Sequence, residues 1–348
     1  MNLFEDISHW EEQNWYNSGG TRNKKILSNP DGLLYYFKES FKNDKGKFYK
    51  YEFYSEVIAS YLGEILGLHV LKYTIAVYGA KIGCISRNML ESDEELIEGK
   101  SYLRAIDNTF MADEKRPKSN YHYHLIQKAY YFIGQGKNLN AFHDLLFFDA
   151  LIGNSDRHQE NWGFIEKNTI LSNTMDKALK DLSSEERKIF RRMFEKLSSF
   201  FNAKMPKEQD LERLMYSISR FRKFAPIYDS GCCLGRELDE DVVKNKHKDE
   251  AFLSKYIEKG ASEIYWHGKK ISHFDLLKNI FSEYPDLKKR YKILVERINT
   301  EKLIEFIGNL DRDIPEGFSE YKISNERKQL IVNIITLRTN KIKQILSE

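Results

Sequence analysis

The chain has 348 residues, 41% of them hydrophobic and 14% aromatic, enough for one large two-lobed domain or two of ordinary size. Lys and Arg number 55 against 52 Asp and Glu, a net charge of +3, which leaves no electrostatic footprint for a nucleic-acid binder and predicts no direct nucleic-acid partner. Three cysteines, two of them adjacent at Cys232 and Cys233, exclude a disulfide framework and make a reducing, cytoplasmic compartment the expectation. No zinc-type ligand spacing exists, no apolar run is long enough to span a bilayer, and the N-terminus lacks a basic region leading into an apolar stretch. The chain therefore reads as soluble, with export by a route that needs no standard signal still open.

Taken in order, residues 1 to 14 form a loose lead-in, after which Ser18-Gly19-Gly20-Thr21 separates an aromatic segment from a basic, strand-like run. A glycine pair lets backbone N–H groups approach phosphates closely, and a plain Gly-Gly hairpin turn is the competing interpretation. Gly32 to Glu39 is β-rich and carries Lys38 near its end. Phe53 to Gly67 has Val57, Ile58, Tyr61, Leu62, Ile65 and Leu66 at helical spacing, with Gly67 as the stop. Glu56 lies one turn into that helix and is the first candidate to brace Lys38; Glu52 is the alternative. Val70 to Ile75 and Ala76 to Ile85 predict two further strands around Gly79, and Ser86 to Glu91 a connector. That divides the chain into a small lobe, residues 1 to 90, and a large lobe, residues 91 to 348.

Helices are expected from Leu103 to Phe110 and from Tyr121 to Ile133, with a loop around Pro117 between them. Ala141 to Ile152 is a strongly apolar helix ended by Gly153-Asn154. Behind it comes the polar loop Ser155-Asp-Arg-His-Gln-Glu-Asn161, and then Trp162-Gly-Phe-Ile165 as a short buried strand. Residues 168 to about 222 have the pattern of an inserted helical hairpin: Ser183-Ser-Glu-Glu186 is a capping box, and a second helix is expected from Pro206 to Phe221. Its basic face is read as solvated. Ala225-Pro-Ile-Tyr-Asp229-Ser-Gly231 is an apolar approach, an acid and a glycine that releases the turn. Residues 232 to 270 are charged and read as a loop over the site. The remainder is helical: 274 to 284, 287 to 298, 301 to 310 and 325 to 346.

Asp156 and Asn161 stand five positions apart on an anchored loop. Phosphoryl transfer uses such a pair: an acid to orient and accept the proton of the attacking hydroxyl, and an amide to hold a metal ion that bridges nucleotide phosphates. A second carboxylate should come from a strand end downstream, and Asp229 supplies it. A lysine at the end of a small-lobe strand, Lys38, can reach the α- and β-phosphates.

Gly153-Asn-Ser-Asp-Arg-His-Gln-Glu-Asn-Trp-Gly-Phe164, followed by Pro226-Ile-Tyr-Asp-Ser-Gly231, resembles the HipA-like bacterial serine/threonine kinases, above all their small single-chain members, one of which is secreted. The resemblance implies an α+β, two-lobed, protein-kinase-like fold with a β-rich small lobe and a helical large lobe. It implies ATP and Mg²⁺, with Asp156 as catalytic acid-base residue, Asn161 and Asp229 on the metal, Lys38 held by Glu56 on the phosphates, and Gly19 and Gly20 covering them. Ser18 and Thr21 resemble phosphate-loop hydroxyls that such kinases autophosphorylate. Arg157 and His158 mainly brace the loop in that family. The expected partner is a protein with a Ser or Thr acceptor, with a repressor-like or host protein as further options. Asp-Arg-His-x-x-Asn also occurs in phosphatidylinositol kinases, so a lipid kinase is the first rival, and a catalytically silent binding module the second. The compact relatives lack the 168 to 222 insertion, which leaves open how Asp229 reaches the site.

Overall fold

Alternating burial organises the first third of the computed structural model, which describes residues 3–13, 24–107, 110, 118–167 and 222–348. Strands β1 (Phe4–Asp6), β2 (Glu11–Glu12), β3 (Lys24–Ser28) and β4 (Leu34–Glu39) precede helix α1 (Glu52–Leu66), and β5 (Thr74–Tyr78) and β6 (Lys81–Arg87) follow it. The six strands form one curled sheet in the order β1-β5-β6-β4-β3-β2, with only β1 and β5 parallel. Successive side chains on a strand face opposite ways. Ile75, Val77, Ile82 and Cys84 accordingly enter the main core against α1, while Phe37, Ala76 and Ile85 join Ile7, Trp10 and Leu27 in a second cluster on the other face. Lys38 follows Phe37 and pairs in register with Cys84, which puts it on the α1 face of the sheet. Helix α1 ends where Gly67 takes φ +72°, a left-handed C-cap that glycine adopts without steric cost.

The strand expected over Val70 to Ile75 starts only at Thr74. Residues 69 to 71 give their backbone groups to the large lobe instead: Ile227 N donates to His69 O at 2.8 Å, and Leu71 N donates to Ile227 O at 2.9 Å. The sheet's last strand runs through Arg87, so the segment joining the lobes is 88 to 93, two residues later than the expected 86 to 91.

The large lobe opens with β7 (Glu94–Glu98), whose charged sequence gives no strand signal, and continues with α2 (Gly99–Ile106), α3 (Tyr123–Phe132), α4 (Leu139–Ile152), β8 (Gly163–Lys167) and β9 (Arg222–Phe224). Helix α2 lies four residues earlier than the periodicity suggests, because Asp107 turns extended and ends it. Strands β7, β8 and β9 pair antiparallel. Glu166 opposite Arg222 carries a buried ion pair at 2.5 Å, joined by the Tyr102 hydroxyl at 2.7 Å, at the root of the insertion. The helices expected within 168 to 221, and Ser18, Gly19, Gly20 and Thr21, lie outside the described residues.

Beyond the site come α5 (Glu240–Lys246), α6 (Glu250–Lys259), α7 (His273–Glu283), α8 (Asp286–Val295), α9 (Thr300–Asn309) and α10 (Asn325–Ser347). The stretch 232 to 270, expected as a loop, therefore contains two short helices, α5 and α6. Asp249 caps α6 by accepting from Phe252 N at 2.9 Å, and Val243, Leu253 and Ile257 are the few apolar residues that these two short helices bury. Their charged majority hid the helical spacing. Helix α4 is apolar on nearly every side and packs against α7 and α10, the arrangement of a helix at the centre of a lobe. Among the described residues, no helix is long and apolar enough to cross a membrane.

Two histidines are buried in this lobe. His273 passes a ring nitrogen to the Asn154 carbonyl at 2.8 Å and faces the Arg338 guanidinium at 3.1 Å; burial, helped by that guanidinium, holds it near pKa 3. His143, hydrogen-bonded to the Tyr123 hydroxyl at 2.8 Å, is lowered by burial to about 4. Both are depressed from 6.5, so the unfolded chain binds protons that the native state refuses. Their stabilisation is complete above pH 6.5 and is lost as pH falls towards their native values. Urea unfolding should show stability dropping by about 1.4 kcal/mol per pH unit for each histidine below pH ~6. A slope left unchanged by His143→Gln would assign the acid loss to other groups.

Candidate active site

The site is built on the turn that follows α4. Gly153 leaves the helix at φ +73°, and Asn154 then folds back: its side-chain amide donates to Asp149 Oδ1 at 3.0 Å, and its Oδ1 accepts from Asp156 N at 3.3 Å. Asp149 is 1% exposed, a carboxylate on the last turn of an apolar helix. Such a charge persists in a core only if it is paired. Its partner is Arg157, itself fully buried, which meets it through Nε at 2.9 Å and Nη2 at 2.8 Å. Burial would lower the guanidinium's pKa, but the Asp149 carboxylate outweighs it and holds the group above the ordinary arginine value.

Arg157 also joins the two segments that carry the predicted metal-binding residues. Its Nη1 donates to Asn161 O at 2.7 Å and to Tyr228 O at 2.6 Å, and its Nη2 reaches Ser230 Oγ at 3.4 Å. One guanidinium thus gathers the loop of Asp156 and Asn161 and the loop of Asp229. Tyr228 Oη adds a bond to Glu160 O at 2.8 Å. Asn161 sends its amide nitrogen to Asp156 O at 2.8 Å, which aims its amide oxygen the opposite way. Asp229 sits at φ +54°, a left-handed conformation that aspartate tolerates better than most residues and that concentrates at functional turns.

Lys38 reaches this turn from the other lobe. Its ammonium is paired with Glu56 and stands 2.5 Å from Asp229 Oδ1; the side chains are 14%, 0% and 23% exposed. Glu56 Oε2 accepts from Ser230 N at 2.8 Å. Of the two glutamates considered for Lys38, Glu56 makes the pair, and Glu52, one turn earlier, is bound to Arg236. Both carboxylates pack around Gly231, where a Cβ would lie 2.9 Å from Glu52 Cγ and 3.1 Å from Glu56 Oε1; no side chain fits there.

Asp156, Asn161, Asp229, Lys38 and Glu56 are therefore brought to one cleft between the lobes. His158 stays within its own loop, its Nδ1 accepting from Glu160 N at 3.3 Å. Sequence reasoning missed Asp149, Asn154, Cys232 and Arg236. Asp149 had a signal, a single acid inside Leu-Leu-Phe-Phe-Asp-Ala-Leu-Ile. Arg236 had none.

An amide oxygen from Asn161 and a carboxylate from Asp229 are hard oxygen donors of the kind a magnesium ion takes alongside phosphate oxygens. The donor set fits that ion.

A curled sheet lobe bearing a helix-braced lysine, set over a helical lobe whose central helix feeds a polar loop, is the kinase-like α+β fold. It is shared with the crystal structure of a Helicobacter pylori proinflammatory kinase, CtkA, at TM-score 0.68 and 20% identity, covering 98% of this chain and 95% of that one. No protein-family model matches the chain, and no curated protein sequence does.

Proposed function

We propose that the chain is an ATP- and Mg²⁺-dependent protein kinase that phosphorylates Ser or Thr hydroxyls, its own among them. The observation that carries this reading is the meeting of Lys38 and Glu56, from the small lobe, with Asp229, whose loop Arg157 ties to the Asp156–Asn161 loop, in a fold that CtkA shares. In-line transfer of a γ-phosphoryl group asks a protein mainly for position and charge. Lys38, fixed by the fully buried Glu56, offers its ammonium to the phosphates. Asn161 and Asp229 would hold Mg²⁺, which when bound neutralises charge on the phosphate oxygens. Asp156 accepts the proton of the incoming hydroxyl, its backbone fixed by Asn154 and Asn161. Arg157 keeps the two halves of the site in register.

The test is incubation of the purified protein with labelled ATP and Mg²⁺, followed by mass spectrometry of the protein and of added substrates. Label on Ser or Thr supports the reading, and nucleotide binding without transfer to any protein hydroxyl refutes it. Label on phosphatidylinositol in vesicles would move the assignment to a lipid kinase. Asp229→Asn is expected to lower kcat/KM by about 100-fold or more and to weaken nucleotide binding only when Mg²⁺ is present. A Mg²⁺-independent loss would place Asp229 outside the metal site.

A further inference from the structure

Four side chains run in series from the start of α1 to the catalytic loop. Glu52, 1% exposed, is paired with Arg236 Nη1. Arg236 Nη2 lies 2.8 Å from Cys232 Sγ, and its guanidinium is stacked on the Tyr49 ring at 4.1 Å. Cys232 Sγ in turn lies 3.2 Å from Asp156 Oδ2. The Cys232 backbone is held separately, its carbonyl accepting from Ser155 N at 3.3 Å. The thiol contact is therefore an addition to the fold's own anchoring.

We propose that Cys232 and Arg236 are positioning residues that fix the Asp156 carboxylate through Oδ2 and tie its orientation to the placement of α1. The inference rests on the kinase reading. A thiol is a weak donor, and a guanidinium N–H directed at its sulfur polarises the S–H towards the carboxylate. Helix α1 then serves both sides of the reaction, with Glu56 steering Lys38 towards the phosphates and Glu52 steering Arg236, and through it Asp156, towards the hydroxyl. A displacement of α1 would release both together.

Removing the thiol takes away the contact that fixes the Asp156 carboxylate at Oδ2, so the rate of transfer should fall while ATP binding, which uses other residues, should not. In the full chain, Cys232→Ala and Arg236→Gln should each lower kcat about tenfold and leave KM for ATP within about twofold, while Cys232→Ser restores most of the rate. Variants with wild-type kcat would overturn the proposal, and so would a loss confined to KM. A second measurement needs no turnover. The pH dependence of iodoacetamide labelling at Cys232, read by peptide mass spectrometry, should move to higher pH in Arg236→Gln and to lower pH in Asp156→Asn. Midpoints that stay put refute the relay even if the enzyme works. Midpoints that shift as stated in a protein without transferase activity support the contact and refute the kinase reading.

Discussion

Asp156→Asn should lower phosphoryl transfer by about 1,000-fold while ATP affinity changes by less than about threefold, since positioned acid-base groups typically contribute 10²–10⁴-fold. The substitution keeps the side chain's size and removes its ability to take a proton. What holds this residue in place is mostly main chain: Asn154 Oδ1 accepts from its N–H, and Asn161 donates to its carbonyl. Neither bond depends on the carboxylate, so the loop should keep its form. Lys38, Glu56 and Asp229 lie on other segments and should bind nucleotide as before. Single-turnover transfer and equilibrium nucleotide binding separate the two effects. Equal losses in both would mean that the asparagine deforms the loop, and an undiminished rate would remove Asp156 from the chemistry.

The largest effect on stability should come from Arg157→Met. It takes away two contacts to Asp149, two to backbone carbonyls and one to Ser230, and it strands a carboxylate that is 1% exposed. Breaking a buried pair by removing one partner costs about 3–5 kcal/mol, because the remaining charge is uncompensated. Adding Asp149→Asn should recover a good part of that loss, since an amide is far less costly to bury than an ion. Denaturant midpoints of the two single variants and the double variant would measure the coupling. Purely additive effects would contradict the pairing. Activity should not return in the double variant, because the bonds to Asn161 and Tyr228 carbonyls, which hold the two loops together, are still missing.

Most of the large-lobe helices, and β4 and α1 in the small lobe, were legible because their periods are clean; the expected loose lead-in, residues 1 to 14, instead supplies the edge strands β1 and β2, too short and polar to show a period. Lys38 could be assigned to a strand, Glu56 to a helix and Asp156 to a post-helical loop from local pattern alone. Three further features were not legible, each for a physical reason. Strand β7 is Glu-Glu-Leu-Ile-Glu, whose charges find partners only in the folded state, such as Lys223 Nζ on Glu94 at 2.8 Å. Helices α5 and α6 bury so few residues that their sequence resembles a solvated loop. The Glu52–Arg236 pair, through which Cys232 is joined to α1, links positions 184 residues apart, a distance that no local periodicity relates. The choice between Glu52 and Glu56 likewise needed geometry, since both occupy the same helix face one turn apart.

The pairing of residues 69 to 71 with Ile227 is one of several ties between the lobes beyond the covalent segment 88 to 93. Near the start of α1, Tyr54 Oη donates to Tyr321 O at 2.9 Å and Ser55 Oγ to Cys233 O at 3.2 Å; at its end, Arg297 Nη1 donates to Leu66 O at 2.7 Å. A helix held at both ends resists sliding and twisting, so α1 travels with the large lobe unless these bonds break together. Asp229 is two residues from Ile227, whose backbone N–H and carbonyl are both engaged with residues 69 and 71. The end of the site proposed to bind the metal is therefore held from both lobes.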